Sequence, residues 1–193
     1  MEQVLDEALF QTKENTAKYA GFWPRLGALI IDGIILAPLS YGLTYLNVTI
    51  WKGSLIMILV SLVTMAYKPV MEHLYGATLG KMSLNLKVTN LELGKASLNE
   101  ILLRNIFHIT PSLITLIFMI GVYQDPGFQS VSGYGDYSTF VGGFTMIQYV
   151  NILMGGLVIA DAIVMLADKR NRAWHDKIAG TYVIEVQKSY TRQ

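Results

Sequence analysis

The chain contains no cysteine, which excludes a disulfide framework, a thiolate nucleophile and any zinc site built on sulfur. Charge is scarce as well. Only 15% of the 193 residues are Asp, Glu, Lys or Arg, and the formal net charge is +1, so there is no basic field of the kind that draws nucleic acid. The three histidines, His73, His108 and His175, stand on separate segments without the spacing of a metal-binding helix, and no metal site or other cofactor is expected. No serine occupies a G-x-S-x-G elbow, and an enzyme is not expected. The first twenty residues mix acids and lysines without an apolar stretch, so no cleavable signal peptide is expected either.

What the chain does have is apolar surface. Hydrophobic residues make up 52% of it and the mean hydropathy is positive, a composition outside the range of ordinary soluble domains of this size. The expected surroundings are a lipid bilayer. Four segments, 22–46, 54–71, 104–123 and 143–167, approach the roughly 20 apolar residues that cross about 30 Å of hydrocarbon. Lysine and arginine orient them. The stretch up to Arg25 holds three, the connection from Lys68 to Arg104 five, the tail six, and the loop 124–142 none; 14 of the 15 cations fall on one side. Cations concentrate on the cytoplasmic side of a membrane protein, so both termini are expected there, in the cell membrane. Residues 1–18 then form a polar cytoplasmic segment, 19–186 the transmembrane domain and 187–193 a short tail.

The second cytoplasmic connection is more than a linker. Met82, Leu84, Leu86 and Val88 alternate with other residues, the period of a half-buried strand. The run "TYVIEV" at 181–186 repeats the pattern and is expected to pair with it. In "SLNE", Ser97 and Glu100 have capping-box spacing, which predicts a helix along "LNEILLRNIFHI" that bends at Pro111. The expected fold class is all-α transmembrane, a four-helix membrane bundle with a small cytoplasmic flap of short β-strands and an interfacial helix. No internal repeat supports an inverted-repeat transporter within one chain.

Two motifs need a chemical reading. "GATLGKMS", residues 76–83, spaces Gly76 and Gly80 one residue too closely for a phosphate loop, and Lys81 is followed by Met82 rather than Ser or Thr. The plainer reading is a glycine turn with Lys81 facing anionic headgroups. In "PRLGALIIDGIILAPL", which starts at Pro24, Asp32 would cost about 2.5–3.5 kcal/mol at the centre of a span. It should therefore face protein or water. Arg25 shares its helix face but lies about 10 Å away along the axis, so Asp161 on the fourth span and Asn105 and His108 at the start of the third are the expected partners of Asp32.

The arginine opening the first span, the aspartate within it, "GATLGK" after the second span and "RAWHDKIAGTYVI" after the last together resemble the RDD family of membrane proteins, named for one arginine and two aspartates. The resemblance implies Arg25, Asp32 and Asp176 as the three name-giving residues, with Gly76, Thr78, Gly80, Lys81, His175, Gly180 and Thr181 at accompanying positions. By analogy it implies cation/proton exchange. A pathway reading makes Asp32 a proton or cation site partnered by Asp161, with Arg25 as counter-charge and Asp176 anchoring the tail against Arg25 or Lys81. A clasp reading uses the same residues to hold helices and flap in register. The expectation is a small secondary transporter, or a subunit of one, for a cation or small polar solute. The alternative is a non-transporting adaptor whose flap binds a partner protein. Small-residue pairs such as Gly33 with Ala37, or Gly156 with Ala160, predict a homodimer.

Overall fold

The computed structural model describes residues 17–186. Most of the expected polar segment 1–18 and the whole tail 187–193 lie outside the described residues. Within them the order is α1 (Phe22–Leu46), a π-helical turn (Asn47–Trp51), α2 (Ser54–Tyr75), α3 (Leu79–Ser83), β1 (Leu86–Asn90), α4 (Leu98–Arg104), α5 (Ile106–Gln124), a 3-10 turn (Pro126–Ser130), α6 (Tyr134–Gly142), α7 (Thr145–Ala167), α8 (Trp174–Ala179) and β2 (Thr181–Glu185).

Helices α1 (continued by the π turn), α2, α5 and α7 are each long and apolar enough to cross a membrane. Most of their outward residues are apolar, as at Leu29, Ile30, Ile34, Ile152 and Ile159. A helix bonds its own backbone, so such a surface is at home in hydrocarbon. The bounds differ from expectation in two instructive places. Helix α2 runs four residues past 71 to Tyr75, which brings Glu72 into its last turns. The helix expected to run through "LNEILLRNIFHI" is interrupted at Asn105, whose backbone (φ −94°, ψ 8°) leaves the helical region; asparagine competes for backbone bonds and favours such breaks. Pro111 instead sits inside α5.

The chain forms two compact units. Among the described residues, the first comprises 17–32, 70–104 and 161–186. It contains the sheet, in which β1 and β2 pair antiparallel with Leu86 opposite Glu185, Val88 opposite Val183 and Asn90 opposite Thr181, so the expected pairing of the two strand patterns is present. Met82 and Leu84 are not part of it. The Thr78 hydroxyl caps the helical turn α3 by accepting from the Lys81 amide, and Asn85, at φ 55°, turns the chain into β1. On the far edge of β2, Ala20 donates to Val183 O at 2.8 Å and Glu185 donates to Lys18 O at 2.8 Å. The capping box closes in both directions, Ser97 N to Glu100 Oε2 at 2.6 Å and Glu100 N to Ser97 Oγ at 3.3 Å. Ala20, Ala28, Leu86, Val88, Ile101 and Val183 make up most of the small core.

The second unit comprises residues 33–69 and 105–160. Segment 124–142, which the sequence offered only as a loop, carries the 3-10 turn and α6. Phe128 is fully buried there, 4.2 Å between ring centroids from Tyr123, and Asn47 Nδ2 donates to the Tyr123 hydroxyl at 3.1 Å. An aromatic plug thus closes this end of the unit's own core.

Candidate functional site: a buried ion cluster

Asp176 is the third residue of α8 and has no solvent exposure. Its Oδ2 accepts from the Ala173 amide at 3.2 Å, as an acid in a helix's first turn readily does. The same oxygen takes Arg25 Nη1 at 2.5 Å, while Oδ1 takes Arg104 Nη1. Arg25, in the first turn of α1, also donates to Ala20 O at 3.1 Å and to Asn171 O at 2.8 Å. Arg104 ends α4, donates to Thr181 Oγ1 at 3.1 Å and places its Nε 3.4 Å from Glu72 Oε2. Glu72, 1% exposed, receives Lys81 Nζ on its other oxygen.

Cations and carboxylates therefore alternate along Arg25, Asp176, Arg104, Glu72 and Lys81. A buried charge is tolerable only when paired and hydrogen-bonded. The Arg104 guanidinium spans two acids at once, bonding Asp176 and pairing with Glu72, with a planar fork that an ammonium does not offer. Burial lowers the Arg104 pKa from its ordinary value, with Glu72 opposing the shift; the group stays a cation.

Asp32 has its own receptors. Oδ2 accepts from the Thr78 hydroxyl at 2.6 Å and Oδ1 from the Gly80 amide at 2.7 Å. Gly80 must be glycine because a Cβ there would come within 2.1 Å of Ala28 O. The whole "GATLGK" motif is explained in this way: Gly76 turns at φ 74°, Thr78 and Gly80 hold Asp32, and Lys81 pairs with Glu72. The expectation that Lys81 faces headgroups is corrected, since its ammonium turns inward to a carboxylate that no water reaches. Gly180, at φ 64°, ends α8 and delivers Thr181 to the cluster.

Asp161, expected beside Asp32, is engaged elsewhere in this unit. Its Oδ1 accepts from the His175 amide at 3.0 Å and its Oδ2 lies 2.7 Å from His175 Nδ1. His175 Nε2 is 3.3 Å from Asp176 Oδ1. Both ring nitrogens thus face carboxylate oxygens, which suits the imidazolium with two N–H donors. The side chains of Asp161 and His175 are 21% and 18% exposed, unlike the sealed cluster next to them. Asn105 and His108 belong to the second unit.

Glu72 and Arg104 are the members that reading the sequence missed. Glu72 fell one residue beyond the expected end of the second span, and Arg104 served only to orient the third. An acid in the last turns of an apolar helix was the available signal. Among the described residues, no group of three or more His, Asp or Glu is arranged to hold a metal.

Four apolar helices and a charged cluster gathered from their ends define a multi-pass helical membrane protein. The arginine and two aspartates that the fold draws into one unit carry the family signature as well: the RDD family matches residues 19–180, and the chain belongs to this family of membrane proteins. Neither the curated proteins nor the solved structures give a significant match.

Proposed function

We propose that the chain is a small secondary transporter or transporter subunit of the cell membrane, with both termini cytoplasmic, which couples movement of a small solute to protons and works as a homodimer. The observation that carries this reading is the Asp161–His175 pair. An ionisable side chain within a membrane span is expensive and marks function by default. This one meets a histidine, the side chain whose ordinary titration lies nearest neutrality, and the pair is partly open where the adjoining cluster is closed. In this reading Glu72, Lys81, Arg104, Asp176 and Arg25 form a rigid clasp, and the proton is held and released at Asp161 and His175.

The test uses proteoliposomes with an entrapped pH dye and a panel of external Na⁺, K⁺ and small polar solutes. The wild type should move protons in response to at least one of them. Asp161→Asn and His175→Gln should insert and fold yet lose that response. Wild-type vesicles indifferent to the whole panel, or undiminished proton movement in both variants, would overturn the reading.

The clasp itself favours the second reading, a non-transporting adaptor. Every carboxylate of the alternating cluster is closed onto a cation, an arrangement suited to fixing the flap for a partner protein. On that reading the vesicles stay silent.

A further inference from the structure

Two cavities lie within the second unit, of about 290 and 270 Å³. Both volumes fall just below the usual range of ligand pockets, about 300–1,000 Å³, which suits only a small solute. They share three lining residues, Ser61, Thr115 and Asn151, one from each of α2, α5 and α7. Counting along each helix at 1.5 Å per residue, these stand about 10, 14 and 9 Å from the first residue of their respective spans. All three are well inside the roughly 30 Å hydrocarbon layer.

Other hydroxyls near them are satisfied by their own helices. Thr64 donates to Val60 O at 2.9 Å and Ser112 to His108 O at 2.7 Å. The shared three differ. Ser61 donates only to the Met57 sulfur, at 3.8 Å, a weak acceptor. The Thr115 hydroxyl, on a half-buried residue, and the Asn151 amide, on an exposed one, make no hydrogen bond with any described residue. A polar group at this depth without a partner is costly, and an amide offers two donors and an acceptor together. No Asp, Glu, Lys or Arg lines either cavity, and the one imidazole is His108 on the wall of the first, so a cation placed there would find no carboxylate counter-charge.

We propose that Ser61, Thr115 and Asn151 form a binding site, at mid-membrane depth, for a small neutral solute rich in hydrogen-bonding groups, such as a polyol or a simple amide. The hydroxyls and the amide bond the solute, and the apolar walls, Met65, Leu116 and Met154 among them, limit its size. The absence of a lining carboxylate selects against cations. That this solute is also the one transported rests on the transport reading above; the binding does not.

The experiment is saturation-transfer NMR on the full chain in nanodiscs with glycerol, acetamide and urea as probes. At least one probe should give a saturable signal. Asn151→Leu and Thr115→Val, nearly isosteric and more apolar, should each weaken that probe at least about tenfold, because a site built to bond polar groups discriminates strongly once they are removed. Gly33→Ala, away from both cavities and with open space for its Cβ, should leave binding unchanged. Absence of saturable binding for all three probes overturns the site, as does binding that neither cavity variant alters. Binding at the site in a protein that moves no protons in vesicles overturns the transport reading and leaves the site standing. Coupled flux of a neutral solute that survives in both cavity variants overturns the site and leaves transport standing.

Discussion

Arg104 and Asp176, 72 residues apart in the chain, meet as a buried ion pair at the centre of the first unit, with Glu72 on one side of the arginine and Arg25 on the far oxygen of the aspartate. No solvent screens the contact, since Arg104 is 3% exposed and Asp176 not at all. Breaking such a pair leaves an ion uncompensated, and that loss exceeds what the intact pair contributes.

Arg104→Gln should therefore cost about 3–5 kcal/mol of stability. Arg104→Lys should recover only part of this, because one ammonium cannot replace a planar fork that serves Glu72, Asp176 and Thr181. Thermal unfolding in mild detergent measures both. An unchanged midpoint for Arg104→Gln would show that the cluster does not hold the unit together.

Gly80 packs directly on α1. The Cβ of Gly80→Ala would collide with the Ala28 carbonyl and approach the Asp32 carboxylate at 2.9 Å. Overpacking against backbone has little room to relax and should cost at least about 2 kcal/mol. Detergent unfolding again reads the result; Gly33→Ala, where a Cβ meets nothing within 4 Å, is the control and should leave the midpoint unmoved.

Asp32 receives two donors, and Asp32→Asn would aim an amide nitrogen at one of them. The expected loss is about 1–3 kcal/mol, the cost of one donor left unsatisfied. Because the proposed proton site is Asp161 with His175, flux per folded molecule should stay near wild type. Stable, fully folded Asp32→Asn protein without coupled flux would move the proton site to Asp32.

Asp168 follows α7 and accepts from the amides of Arg170 at 2.9 Å and Arg172 at 3.1 Å, with Lys177 Nζ at 2.9 Å. Burial raises its pKa, but the bonds from Lys177 and the two amides outweigh burial and hold the group at about 2. The folded pKa lies below the unfolded one, so the contribution is complete above about pH 4 and is lost as pH falls toward 2. Asp168→Asn should remove that part of the acid sensitivity. Unfolding midpoints followed from pH 5 to 2 should converge for the two proteins at the acid end; parallel curves would contradict the assignment.

The proposed orientation is open to labelling, since the chain has no cysteine of its own. An impermeant thiol reagent added outside intact cells should modify Ser138→Cys and spare Glu92→Cys, both at exposed positions. The reverse pattern would invert the topology. On the same reading Ser189, in the tail, would also be spared, but it lies outside the described residues.

The sequence by itself determined the elements that depend on local composition and period. Uninterrupted apolar runs select spanning helices because hydrocarbon leaves the backbone no other partner. The Ser97–Glu100 box and the strand pattern at 181–186 were legible for the same reason, each being a short-range regularity, whereas Arg25, Asp32 and Asp176 were singled out together by the resemblance to the family. Which charges meet was decided by tertiary structure alone. Asp32 took donors from Thr78 and Gly80, Lys81 turned inward to Glu72, and Arg104 became the centre of the cluster, because each pairing joins segments brought together only when the helix ends and the sheet pack in the first unit. A buried ion's partner is chosen by three-dimensional proximity and desolvation, and neither is written in the spacing of residues along a chain. The polar lining shared by the two cavities, Ser61, Thr115 and Asn151, was hidden in the same way, since its three residues lie on separate helices and carry no motif between them.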